Sequence, residues 1–192
     1  MNRLVAKLTA GPPGSCPDLA DFNHQVWAFL HRQAVARCEK TRTDFRIHHD
    51  EFIRLGELSY QNLVTLCDPI ISHFNSGLSI AEFERLAASM HRPAEVLMAE
   101  AHCLAHRYWS LAKQTAQQHG CGITKIRYGL SVPLLEYVVT LSDSQIRRMV
   151  QMTPAGRLSF RFDTQLICGF GQEGLFQEAL NRILLQSLNA SV

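Results

Sequence analysis

His102 and His106 stand one helical turn apart, so on a helix both imidazoles share a face and have the spacing of a metal-binding pair. Metalloprotease chemistry also needs a glutamate directly after the first histidine, to act as general base. Cys103 occupies that place, and the pair reads as two partly exposed helix histidines. His48-His49 precedes a helix start and fits a polar capping context better than a ligand pair. The six cysteines, Cys16, Cys38, Cys67, Cys103, Cys121 and Cys168, are never closer than 18 residues. There is no Cys-x-x-Cys, which excludes a zinc ribbon or a thioredoxin motif, and most of the cysteines read as small core residues. No glycine-rich loop runs from a strand into a helix, so the usual nucleotide-binding fingerprints are absent. No Cys–His or Ser–His pairing stands out as catalytic. The expectation is a protein that is not an enzyme, with no cofactor and no metal.

The basic residues are more informative. Lys125, Arg127, Arg147, Arg148, Arg157 and Arg161 fall within 37 positions that hold only two acids, Glu136 and Asp143. In Asp143–Gln151 the helical period puts Gln145, Arg147, Arg148 and Gln151 on one face and turns Ile146, Met149 and Val150 inward. Arg and Gln suit the edges of guanine and adenine. Preceded by another short helix and a Leu141-Ser142 turn, this segment is helix-turn-helix-like; the competing reading is a solvated helix face. Lys125, Arg127, Arg147 and Arg148 are the candidate DNA-binding residues. Leu158, Phe160 and Phe162 alternate with Ser159, Arg161 and Asp163, the pattern of an extended segment with two faces. Phe160 and Phe162 are then expected in the core or at an intramolecular interface, and Arg161 exposed or partner-facing, as a partner-binding residue.

These residues sit in a chain of 192, of which 46% are apolar and 19% charged. That is enough to bury a core in one domain or two small ones, and it excludes the disordered class. No window holds the roughly 18 uncharged apolar residues of a membrane span. Met1–Ala10 lacks the apolar run of a secretory signal, so the expected compartment is the reduced cytoplasm. The net charge of +2 is small for a lone nucleic-acid binder. A local basic patch or a second subunit must supply much of any DNA affinity.

With 11 glycines and 7 prolines, breakers are few and helix is favoured. Residues 1–17, with Gly11-Pro12-Pro13-Gly14, form an N-terminal arm. Asp18 or Asp21 caps a first helix running to Thr41, with Phe22, Val26, Trp27, Leu30, Ala34 and Cys38 as its stripe. Short helices follow over Asp50–Glu57 and Tyr60–Asp68, the second capped by Ser59. Ser79 with Glu82 opens another as a capping box. A long helix, Ala94–His119, ends at Gly120. Cys121–Ser131 is a connection. Pro133–Thr140 and Ser142–Met152 are helices, the latter opened by a Ser142/Gln145 capping box. Leu175–Leu188 is a final helix.

The two parts of the chain rhyme. Each has a long helix, a connection, a short helix, a Leu-Ser cap, a second short helix, an apolar extended piece and a last helix. Leu58-Ser59 answers Leu141-Ser142, Leu63 answers Ile146, and Phe74 answers Phe160. The organisation is read as an arm over 1–17 and two similar halves, 18–92 and 93–192.

Arg127-Tyr128-Gly129-Leu130-Ser131, then Thr140-Leu141-Ser142, Gln145, Met149 and Phe160-Arg161-Phe162-Asp163 together resemble the flagellar transcriptional activator subunit FlhD, in order and spacing. The resemblance covers residues 90–192. It implies an all-α fold, here two similar helical halves resembling an FlhD dimer fused in one chain, with at most one short extended segment per half. It also implies a transcription activator subunit that acts on double-stranded promoter DNA with a zinc-containing FlhC-like partner, for flagellar or mobile-element transfer genes. Some family members carry a cysteine two residues before the Phe-Arg-Phe, where Leu158 stands here. The chain is longer than a usual FlhD, and it lacks FlhC-like zinc cysteines. The rival expectation is a helical adaptor or sequestering protein that binds a regulator without touching DNA.

Overall fold

Leu19, Phe22, Val26, Trp27, Leu30 and Ala34 recur at three- and four-residue spacing and are all buried, which makes Pro17–Val35 the amphipathic helix α1. The computed structural model describes residues 16–65, 71–88, 98–153, 157–164, 167 and 178. After α1 come α2 (Glu39–Asp44), α3 (His49–Glu57), α4 (Tyr60–Thr65), β1 (Phe74–Asn75), α5 (Ile80–Ala88), α6 (Glu100–His119), α7 (Cys121–Tyr128), α8 (Val132–Thr140), α9 (Asp143–Gln151) and β2 (Ser159–Phe160). The described chain is mostly helical. Its sheet is one antiparallel pair, Phe74 opposite Phe160 and Asn75 opposite Ser159. No described helix is long and apolar enough to cross a membrane.

Several expectations about these elements need correction. The N-cap of α1 is Cys16, with Pro17 in the first turn, so neither Asp18 nor Asp21 starts the helix. Nor does α1 reach Thr41. It ends at Val35, Arg37 takes left-handed backbone at φ 51°, and α2 starts anew. The reason is tertiary. The break lets Phe45 fold back to a ring distance of 6.1 Å from Phe29, whereas sixteen residues of continuous helix would hold the two about 24 Å apart. Cys121–Ser131 is no plain connection, since most of it is α7, fixed by the buried Thr124 and Tyr128. Of the cysteines expected in the core, Cys16, Cys38 and Cys121 are half-buried and Cys103 is exposed. The final helix, Leu175–Leu188, and the stretches 66–70 and 89–97 fall outside the described residues, Glu178 aside.

Two long helices organise the core. α3 packs on α1, while α7, α8 and α9 pack on α6, and α1 and α6 pack on each other. Gly56 permits the close approach of α3: a Cβ there would lie 3.2 Å from backbone atoms of Ala34 and Val35. Asp21 pairs with Arg107 at 2.6 Å, and Arg32 pairs with Glu100, both across α1 and α6. These pairs are exposed and contribute little to stability.

The sheet pair lies on Trp27. Its ring is 5.5 Å from Phe74, 5.4 Å from Phe160 and 6.1 Å from Phe162. The indole N–H donates to His73 Nδ1 at 2.9 Å. Asn23 donates to the Ile71 carbonyl at 2.8 Å and accepts the His73 amide at 3.0 Å. Buried polar groups seek internal partners, and this network pairs the Asn23 amide, the Trp27 indole, and the His73 Nδ1 and main-chain amide where the segment before β1 meets α1. Arg157, ahead of β2, pairs with Glu82 of α5. That contact and the bonds from Ser79 hold the Glu82 carboxyl down at about 2.

Candidate nucleic-acid interface

The candidate DNA-binding residues lie on two helices mounted on α6. Ser131 precedes α8, whose Val132-Pro133 start suits a first turn that has amide protons to spare. α8 ends at Thr140 with Leu141 as its cap, and Ser142 then caps α9. The Ser142 hydroxyl accepts the Gln145 amide at 3.3 Å, and the Gln145 side chain accepts the Ser142 amide at 2.8 Å. This is the capping box read from the sequence. Lys113 of α6 fixes the turn from below, donating to the Leu141 carbonyl at 2.7 Å and to Asp143 at 3.2 Å.

The inward face of α9 is Ile146, Met149 and Val150, all fully buried. Gln145, Arg147 and Arg148 are exposed on the other side, as the helical period predicts, and Gln151 is half-buried. His106 of α6 lies under this helix. Burial and the Arg147 charge lower its pKa, against an opposing pull from Asp143. His102 engages the Thr153 carbonyl at 3.0 Å, just beyond α9. Both histidines are thus turned toward α9. Among the described residues no group of three or more His, Cys, Asp or Glu side chains converges as a metal site.

Lys125 and Arg127 are on α7 and are half-buried. Arg127 and Arg161 are brought together, through main chain. The Arg161 guanidinium donates to the carbonyls of Arg127 at 2.8 Å, Ser72 at 3.1 Å and Ile126 at 3.2 Å. The expectation of an exposed Arg161 is therefore corrected: the side chain is half-buried and caps the C-terminal carbonyls of α7, the negative end of that helix. The alternation around it is right in direction. Phe160 and Phe162 do pack against the core, but on the opposite side of the segment Arg161 meets the carbonyls at the end of α7.

No family model, curated protein or solved structure matches this chain. What the site can do follows from its own geometry. A short helix, anchored by three apolar side chains and a capped turn, offers two adjacent arginines and a glutamine outward. Such an arrangement suits phosphate contact and base-edge contact alike.

Two further cations, Arg37 and Arg46, are exposed in the linkers on either side of α2 and are not among the candidate DNA-binding residues, although Phe45-Arg46-Ile47 answers Ile126-Arg127-Tyr128 in the sequence rhyme. The signal was present: Arg37, Lys40, Arg42 and Arg46 are four cations in ten positions.

Proposed function

We propose that this chain is an FlhD-like transcription activator subunit that carries two FlhD-like halves in one polypeptide and acts in the cytoplasm on promoter DNA with an FlhC-like, zinc-containing partner. The observation that carries the DNA reading is α9, with Ile146, Met149 and Val150 buried beneath it and Arg147 and Arg148 presented outward. Lys125 and Arg127 extend the basic character onto α7.

The tandem organisation, with halves over 18–92 and 93–192, is supported by the order of elements. Long helix, three short helices, a two-residue strand: this runs once from α1 to β1 and again from α6 to β2. Adding 83 to Leu58, Ser59, Asn62 and Leu63 gives Leu141, Ser142, Gln145 and Ile146, the same turn, cap, capping partner and buried residue. Adding 82 to Trp27 gives Trp109, both fully buried on the long helices. The strand pairing adds a symmetry argument. A two-fold that exchanges Phe74 with Phe160 exchanges residue 73 with 159 and 75 with 161. It maps the bond from the Arg161 amide to the His73 carbonyl, 3.0 Å, onto the Asn75–Ser159 pairing. Every antiparallel pair has such a local two-fold, so the pairing is compatible with two similar halves.

The adaptor reading has its own observation. Tyr60 and Val64, 65% and 42% exposed on α4, occupy the place that Asp143 and Arg147 hold on α9, and they suit a protein partner.

The test is co-expression with an FlhC-like protein, followed by titration of nearby promoter DNA over a range of salt. Arg147→Ala/Arg148→Ala should weaken binding across sequences and make the slope of log affinity against log salt shallower by up to about two units. Unchanged affinity and slope would remove α9 from the interface and leave the adaptor reading in place.

A further inference from the structure

Arg37 and Arg46 hold left-handed backbone, at φ 51° and 56°, just past the ends of α1 and α2. Helices that end this way usually place glycine or asparagine there, because any Cβ strains the conformation. A third arginine of this kind, Arg157, is held by its ion pair with Glu82. Arg37 and Arg46 have no such anchor among the described residues. Both side chains are exposed and neither makes a hydrogen bond or ion pair there.

The two cations bracket α2, whose own cations are engaged. Lys40 pairs with Asp44 at 2.7 Å, and Arg42 pairs with Glu39 at 2.7 Å and donates to the Ile47 carbonyl at 3.2 Å. The six residues of α2 rise roughly 9 Å, so Arg37 and Arg46 flank one short stretch of surface. The backbone bonds that close α1 and α2, from the Cys38 amide to the Gln33 carbonyl at 2.9 Å and from the Ile47 amide to the Arg42 carbonyl at 3.0 Å, require the left-handed conformation at both positions but no cation there; the exposed, unpaired side chains are what point outward. Two exposed guanidiniums of this kind match phosphate oxygens, to which the planar fork can donate twice.

We propose that Arg37 and Arg46 form a second contact with the DNA phosphate backbone, in the first half of the chain, where α2 follows α1 as the basic helix α7 follows α6. This rests on the DNA reading above. The pair fixes position on the duplex and reads no bases. A cation just past a helix end also interacts with the helix dipole. That role alone would alter stability and leave DNA binding untouched.

Glycine is the informative substitution. Arg37→Gly/Arg46→Gly removes both charges and relieves both backbone angles, so the fold is retained. In the full chain, at low ionic strength, the probe is a fluorescently labelled duplex of random sequence. The Gly variant should melt at or above the wild-type temperature while its affinity falls several-fold. Its salt slope should become shallower by about 1.8 units, roughly 0.9 for each phosphate no longer neutralised. Arg37→Lys/Arg46→Lys should keep most of the slope. Wild-type affinity and slope in the Gly variant would overturn the proposal, whatever its melting temperature. So would failure of the wild-type chain to bind the duplex. Arg147→Ala/Arg148→Ala in the same assay separates the two assignments. Weakened binding there alone keeps α9 and overturns this pair; weakened binding in the Gly variant alone keeps the pair and removes α9.

Discussion

The guanidinium of Arg161 lies directly over the Cα of Gly129. A Cβ on Gly129 would sit 2.7 Å from Arg161 Nε and 3.0 Å from its Cζ, and the residue also holds φ 69° at the end of α7. Gly129 therefore answers two demands at once: left-handed backbone, and room for the side chain that caps the carbonyls of Ile126 and Arg127. The Arg-x-Gly and Phe-Arg-Phe elements of the sequence meet here as one structural clamp.

Gly129→Ala should destabilise the fold by on the order of 2 kcal/mol, from left-handed strain alone before the contact with Arg161 is counted. The contact makes the two positions interdependent. Arg161→Ala frees the space but leaves the carbonyls of α7 to find other donors. Denaturant unfolding of both single variants and the double variant should show less-than-additive losses. Strict additivity would mean that Arg161 does not lie over Gly129 in solution.

Phe74 is fully buried between Phe22, Trp27 and Phe160, with rings 6.4, 5.5 and 5.1 Å away. Phe74→Ala should cost on the order of 3–5 kcal/mol, a large part of a domain worth roughly 5–15. Phe160 is only half-buried, so Phe160→Ala should cost less, about 2 kcal/mol. Thermal unfolding of both variants checks the order. A larger loss at Phe160 than at Phe74 would reverse the two roles.

Burial, reinforced by the Arg161 charge, holds the His73 imidazole down at about 3, against an ordinary 6.5. A base whose folded-state pKa is lowered takes up a proton on unfolding. Its contribution is complete above pH 6.5 and is lost as the pH falls from 6.5 toward 3. The loss is roughly 1.4 kcal/mol for each pH unit in that window. His106, also lowered by burial, acts in the same direction. Urea unfolding at a series of pH values should show the decline, and His73→Gln should flatten it by one proton's worth. An equal slope in the variant would show that His73 titrates normally in the folded chain.

If the halves stand in for an FlhD dimer, fusion gives each a high effective concentration of the other. The free chain should then sediment as a monomer over a wide concentration range. An obligate dimer formed through the β1–β2 side of the molecule would count against the tandem arrangement.

Local signals in the chain settled a good deal. The stripe of α1, the capping boxes at Ser79 and Ser142, the Ser59 start of α4, the outward arginines of α9 and the extended piece at Phe160 all depend on neighbours within one or two turns. Such interactions are written in the order of residues. What the sequence could not show is how separate segments cover one another. Arg161 alternates with two phenylalanines and so reads as exposed; only the approach of α7 turns that face into a set of carbonyls awaiting donors. The end of α1 at Val35 has no glycine or proline to mark it, because the break is imposed by Phe45 packing on Phe29. α7 has three glycines and three β-branched residues in or beside eight positions, weak helix formers, and it folds because Thr124 and Tyr128 are buried. β1 is two residues long and exists by virtue of β2, 84 positions away by the Asn75–Ser159 pairing. In each case the deciding contact lies far along the chain, beyond the reach of propensity and period, which describe a segment and its nearest neighbours.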